Sequence, residues 1–390
     1  MSTVLPTEAQ HGLSAHSHGA GVPVQTRSER FRSRNVADFA AVTGREHEWK
    51  LSPVGAFADL LDGPLDGSAL PLATELAPGV SVSRISMSDP RVTSAELPEE
   101  RASANALSQA EEALLVTVSS EQSATSTLHR STLGSAPRAA HTVIEATPNA
   151  RGVVVLESTG SARLSENVEI LVGDGADLTV VSLQLWDDEA VHLASHFARI
   201  GRDAKLTHIV VSLGGKVVRV NPSSRLAEPG ADVESLGLYF ADAGQHLEQH
   251  VFVHHEAPHT KSRVTYKGAL QGEGARSVWI GDVLIGRDAT GTDSYEQNRN
   301  LVLTDGTRAD SIPNLEIETG DIEGAGHASA TGRFDDEQLF YLQARGIEEG
   351  EARRLVVRGF LNEIVQRIPD EQLQERLSDA VEAELVGASA

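Results

Sequence analysis

Val168-Glu169-Ile170-Leu171-Val172-Gly173-Asp174-Gly175-Ala176-Asp177 is a strand running into a corner, and the corner returns at Gly201-Arg202-Asp203-Ala204-Lys205. Looser copies follow at Gly230-Ala231-Asp232, Gly272-Glu273-Gly274-Ala275-Arg276, Gly286-Arg287-Asp288-Ala289 and Asp305-Gly306-Thr307-Arg308-Ala309. Ala176 and Ala204 are 28 positions apart, and Ala204 and Ala231 are 27 apart; later spacings are less regular. Between the corners lie short aliphatic runs such as Val153-Val154-Val155-Leu156. Val181, Leu183 and Leu185 alternate with Ser182 and Gln184 at the period of a strand. Strands recurring every ~20–30 residues with no helix between them predict a β-solenoid. Glycine supplies the backbone freedom of a tight corner, and a small alanine fits inside the coil. An antiparallel sandwich is the other architecture with short strands and turns.

Outward from residues 141–332, the expected solenoid, the pattern changes on both sides. Residues 29–140 read as a mixed region. A helix is expected over 29–45, with Phe31, Val36, Phe39, Ala40 and Val42 on one face, and a break at Pro53. A second helix is expected over 99–112, before the strand-like Leu114-Leu115-Val116-Thr117-Val118. From residue 333 to 390 the period becomes 3.6. Asp335 is the expected N-cap, with Asp336 and Glu337 in the first turn and Gly346 as the stop. A helix over 348–368 would carry Ala352, Leu355, Val356, Phe360, Ile364 and Ile368 on one stripe, with Leu361 nearby. A last helix would carry Leu373, Leu377, Ala380, Val381 and Leu385. Together these form a helical appendage after the solenoid. Residues 1–28 lack the apolar core of a signal peptide and read as a disordered tail.

Composition narrows the function classes. With 40% hydrophobic but only 4% aromatic residues, the core must be built from Val, Leu, Ile and Ala. The balance of 33 basic and 56 acidic residues, net −23, disfavours nucleic acid and anionic lipid as partners. The absence of cysteine excludes disulfides, thiolate catalysis and thiolate metal ligation, and points to a reducing, cytoplasmic compartment. No phosphate loop or nucleophile elbow occurs. No window approaches ~18 apolar residues, so no transmembrane helix is expected.

Polar chemistry must then rest on His, Asp and Glu. His11, His16 and His18 sit in the tail. His246, His250, His254, His255 and His259 form a second cluster, in which His250 and His254 share a strand face. A metal site would need convergent neutral imidazoles; a solvated or hydrogen-bonded face is the plainer reading. His327 stands alone among small residues in Glu323-Gly324-Ala325-Gly326-His327-Ala328-Ser329-Ala330-Thr331-Gly332, where a partner could reach it. A neutral imidazole suits iron among other metals.

Pro313-Asn314-Leu315-Glu316-Ile317, Asp321-Ile322, His327 and the run from Gly332-Arg333-Phe334-Asp335-Asp336-Glu337 to Gln338-Leu339-Phe340-Tyr341-Leu342 resemble the SufB/SufD family of iron–sulfur cluster assembly scaffolds. The likeness continues through Ala344-Arg345-Gly346-Ile347, Ala352-Arg353 and Gly359-Phe360. Upstream it includes Ala257-Pro258-His259-Thr260, Ser262, Tyr266-Lys267-Gly268 and Glu48-Trp49-Lys50. The resemblance implies a mainly β fold, a right-handed parallel β-helix flanked by N-terminal and C-terminal helical regions. It implies a non-catalytic subunit that pairs with a SufB-like protein and docks a SufC-like ABC ATPase. The docking segment carries over to Asp335, Asp336, Glu337, Leu339, Phe340, Tyr341, Arg345 and Gly346. SufB-like members use cysteines to receive sulfur; this chain has none, so the resemblance favours the SufD branch. In that branch a histidine facing SufB is implicated in iron or cluster handling, and it aligns with His327. The flanks Gly326 and Ala328 depart from the family's more usual serine or cysteine before and glycine after. No cofactor is expected to stay on the chain alone; iron or a cluster would be shared transiently with SufB. A homodimer acting without SufB is the alternative, and a polysaccharide-acting β-helix enzyme a remoter one, since paired carboxylates are lacking.

Overall fold

The computed structural model describes residues 30–333 and 336–387, with the side chains of 336–338, 386 and 387 left aside. The expected tail 1–28 and the N-cap Asp335 lie outside the described residues.

Successive strands alternate between two nine-stranded sheets, so that each coil gives one strand to each. All pairs are parallel except at the start of the chain. There Ala73–Glu75 and Val80–Ser86 lie antiparallel on Thr125–Ser131 and Glu112–Val118. This is a parallel β-solenoid, and the sandwich is excluded. Parallel pairing begins upstream of residue 141, at Glu112–Val118 on Arg138–Ala146. Register partners explain the drifting repeat. Leu178 pairs with Leu206, Leu206 with Val233, Val233 with Ser262 and Ser262 with Ser294, so the coils lengthen along the chain.

The corners stack by one device. Asn149, Gly175, Asp203, Gly230, His259 and Gly291 all have φ between 50° and 75°. The backbone N–H of each donates to a carbonyl of the next corner: Asp174, Arg202, Pro229, Pro258, Thr290 and Asp321 in turn. Only glycine and a few short polar residues enter this region cheaply, which is why the motif is loose but not random. The residue after each corner points inward wherever it is alanine; Ala150, Ala176, Ala204 and Ala231 are all buried. Two positions past each corner residue, Arg151, Asp177, Lys205, Asp232, Lys261 and Asp293 form a ladder of alternating charge, each beside its opposite in register. Cross-strand pairs of opposite charge stabilise, and a coil slipped by one step would oppose unlike neighbours to uncharged ones.

The outer faces of both sheets are covered. On one, Trp49, Phe57, Leu60 and Leu61 pack with Ala102 and Ala106 onto Ala139, Val191, Leu193 and Val217. Leu60 and Leu61 belong to helix α1, Ala58–Asp62, and Ala102 and Ala106 to helix α2, Arg101–Gln109. The expected helix over 29–45 is absent except for a single 3-10 turn at Val36–Asp38. Ser33 and Asn35 side chains bond local backbone N–H groups, which competes with helix formation. Arg30 and Arg32 lie on Glu99, with Arg30 also reaching Asp282 and Arg32 reaching Glu96.

On the other face lie helices α4, Glu349–Val365, and α5, Glu371–Gly387. Val357, Leu361, Ile364, Leu373, Leu377 and Val381 meet Val155, Leu183, Val211, Leu236 and Phe240 of the sheet. The C-terminal helices are therefore folded back as a wall of the solenoid, not held out as an appendage. Of the expected stripe Ala352, Ile364 and Ile368 are buried, with Leu361 beside them, whereas Leu355 is 41% exposed and Val357 is buried in its place. Lys267 secures α4: its ammonium donates to the Phe360 carbonyl at 3.0 Å and to Glu363 at 2.5 Å, and lies over the Phe360 ring. Asp370 accepts from Thr125, and Arg376 donates to Glu157, fixing α5.

Candidate functional site

The two ends of the solenoid differ. The first coil is capped by the antiparallel strands already described. At the other end the sheets finish on Arg308–Ile317 and Ile322–Arg333, each with one hydrogen-bonded neighbour among the described residues. Such edges offer a row of backbone donors and acceptors to another chain. Residues 327–333 are exposed along the second strand, and Ile317 at the end of the first is 43% exposed.

His327 sits in this open mouth. It is in register with Glu296 of the coil beneath, so both side chains project from the same face of the sheet. That face is the interior: Ser294, Glu296, Asn298 and Asn300 are buried, and Asn298 donates to Tyr239 inside the coil. Ser329 on the same strand hydrogen-bonds Ser311 across the mouth at 2.8 Å. The His327 side chain keeps 44% exposure, and its Nδ1 lies 3.7 Å from Glu296 Oε1. Burial pushes the Glu296 carboxyl up to about 8; the Asp282 charge adds to this, and the Asn314 backbone N–H opposes it. Glu296 was not singled out from the sequence. In Thr292-Asp293-Ser294-Tyr295-Glu296-Gln297-Asn298 it looks like one more residue of a solvated face.

The other histidine cluster does not converge. His246 and His250 both reach Glu248 at 2.7 Å, and His254 reaches Glu256 at 3.0 Å, on the outer face. His255 points inward and bonds Thr260 and Ser262, where burial and the His254 charge hold it neutral down to about 3. His259 is a corner residue with φ of 57°. Among the described residues no group of three or more His, Cys, Asp or Glu is placed to hold a metal ion. Glu248 instead fastens the N-terminal segment. It accepts from Ser52 and from Arg219, whose guanidinium stacks 4.2 Å over Trp49. Burial alone would raise the Glu248 carboxyl; the two histidines and Arg219 hold it well below the usual carboxylate range.

Beyond Arg333 comes helix α3, Asp336–Gln343. Leu339 is buried, while Phe340 is 72% and Tyr341 56% exposed. The Arg345 guanidinium stacks 4.7 Å over Tyr341, and Gly346 ends the segment at φ 86°. Two large aromatic rings thus stand in solvent beside a cation, while Leu339 anchors the helix. No helix among the described residues is long and apolar enough to cross a membrane.

This geometry meets the comparisons with known proteins at one place. A family described as "SUF system FeS cluster assembly, SufBD core domain" matches residues 129–360, from the early coils through the open mouth into α4. The chain belongs to the SufBD family. An iron-sulfur cluster assembly SufBD family protein of Mycobacterium bovis is 47% identical over 385 residues, covering 96% of both chains. One from Mycobacterium leprae is 45% identical over 377 residues, 94% of this chain and 96% of that protein. A further SufBD family protein of Mycobacterium tuberculosis is 31% identical over 221 residues, 57% of this chain and 26% of its own length. The SufBD match spans both His327 and the α3 aromatics.

Proposed function

We propose that this SufBD-family chain is a SufD-like scaffold subunit of the cytoplasm, working with a SufB-like partner and a SufC-like ABC ATPase to build iron–sulfur clusters. The observation that carries the reading is the uncapped end: two edge strands frame a mouth that holds an accessible imidazole and no thiol. Sulfide-receiving chemistry must then come from the partner, while this chain supplies a sheet to pair with and one nitrogen ligand. Iron and the growing cluster are substrates here, not resident groups. Helix α3 begins three residues after the end strand and carries its aromatics at Phe340 and Tyr341, so a nucleotide-driven ATPase docked on them could pull on the mouth. A second copy of the chain as the partner is disfavoured by the net charge of −23 carried on each.

The test is co-purification with the SufB-like and SufC-like proteins. His327→Ala is expected to leave the complex intact and lower its iron and acid-labile sulfide at least ten-fold. Unchanged cluster content in an intact complex would remove the ligand role. In the same preparation Phe340→Asp should weaken SufC-like binding about thirty-fold, the order expected on losing one aromatic anchor. Retention at parental affinity would place the ATPase elsewhere.

A further inference from the structure

We propose that Glu296 is the second protein ligand of the metal ion that His327 takes up, so that the mouth carries a half-built site of one imidazole and one carboxylate. The inference rests on the reading of His327 as an iron ligand and extends it to a residue on a different coil.

Three observations support it. Glu296 is 1% exposed, yet no side chain donates to either carboxyl oxygen, and only the Asn314 backbone N–H lies close enough to favour its charged form. Buried polar groups are almost always satisfied, and a buried carboxyl without a cationic partner is among the costlier groups a fold can retain. Other buried acids of this chain are served: Glu166 by Arg130 and His192, Glu248 by Arg219 and two histidines. Glu296 is instead given room. Gly281 on the facing sheet has no side chain, and a Cβ there would meet Glu296 Oε2 at 2.5 Å. The Trp279 ring lies against the same spot.

The separation of 3.7 Å between Nδ1 and Oε1 is too long for a hydrogen bond. It suits two donors of one divalent ion, which at about 2.1 Å from each ligand stand about 3.4 Å apart in a tetrahedral site. One nitrogen and one oxygen leave coordination positions open toward solvent. A docked partner would fill them, so the ion would be held firmly only in the assembled complex. An imidazole–carboxylate pair suits ferrous iron among other divalent ions, and it lacks the thiolate that selects Cu(I).

Cobalt(II) serves as the probe, added without oxygen to the purified complex of the full chain with its SufB-like partner. Uptake is read by visible absorption and equilibrium dialysis. Glu296→Gln preserves the shape of the side chain and removes its ability to ionise on a metal ion. It is expected to weaken uptake at least ten-fold, as is His327→Ala, and the double variant should be no weaker than the worse single one. Partner association by gel filtration should be unchanged. Glu296→Asp, which keeps an ionisable carboxyl on a shorter arm, should bind between parent and Glu296→Gln, and provides the comparison if the glutamine variant folds poorly. Parental uptake by Glu296→Gln, with uptake lost in His327→Ala, would overturn the carboxylate ligand and leave the imidazole standing. Parental uptake by both variants, or none by the parent, would overturn the two together.

Discussion

Gly268→Ala is expected to cost about 3 kcal/mol of stability, at the upper end for an overpacking substitution. The expectation comes from a reciprocal contact between neighbouring coils. Gly237 is in register with Tyr266, and Tyr239 with Gly268. Each tyrosine ring lies flat over the glycine of the next strand. A Cβ on Gly268 would fall 1.8 Å from Tyr239 Cε2, and one on Gly237 would fall 2.0 Å from the Tyr266 ring. Neither ring can swing away cheaply. Both are fully buried, and the Tyr239 hydroxyl donates to Asn300 at 2.5 Å while accepting from Asn298 at 2.8 Å. One methyl group therefore displaces a ring, opens two hydrogen bonds and disturbs a coil on either side. Urea unfolding followed by circular dichroism measures the loss. Gly359→Ala is the control: nothing lies within 4 Å of its Cβ position inside α4, and the change should be neutral or gain up to ~1 kcal/mol of helix propensity. Equal stability of the two variants would mean that the rings do not hold the coils in place.

The same pair shows what the sequence made legible. Tyr266-Lys267-Gly268 is readable as a family likeness, but the reason for its glycine lies one coil away at Tyr239, a partner that periodicity cannot name. The corners were legible because their constraint is local: a left-handed residue followed by alanine leaves a mark in a few consecutive positions. The coil length was legible for the same reason. The inside of the coils was not. Reading a strand by the rule of apolar inside and polar outside inverts Thr292–Val302, where Ser294, Glu296, Asn298 and Asn300 face inward and Tyr295 outward, 41% exposed. That inversion concealed Glu296. The arginine-rich start was misread because Arg30 and Arg32 are spent on acids brought from residues 96, 99 and 282, a placement only the fold creates. His327 was singled out through resemblance and small neighbours; its setting in the mouth required knowing which coil is last.

Ser329→Asp is expected to weaken association with the proposed SufB-like partner more than 100-fold while leaving the isolated chain unchanged. Residues 327–333 are exposed, so a carboxylate at 329 stays hydrated in the free protein and costs nothing there. Pairing another sheet onto Arg308–Ile317 and Ile322–Arg333 closes the mouth. Ser329, bonded to Ser311 across it, would then be enclosed. An enclosed carboxylate without a donor costs about 3 kcal/mol or more, and each 1.4 kcal/mol is a factor of about ten in affinity. A charge pointing inward at a strand edge is also the device by which natural sheets refuse edge pairing, so the substitution converts an accepting edge into a refusing one. Gln122→Asp, exposed at the capped end, adds the same charge far from the mouth and should bind as the parent does. Binding can be followed by calorimetry at two salt concentrations. A desolvation penalty persists at high salt, whereas simple repulsion is screened over ~8 Å at physiological ionic strength. Parental affinity in Ser329→Asp would move the interface off the open end. His327 would then lie away from the partner, and the shared-cluster reading would fail with it.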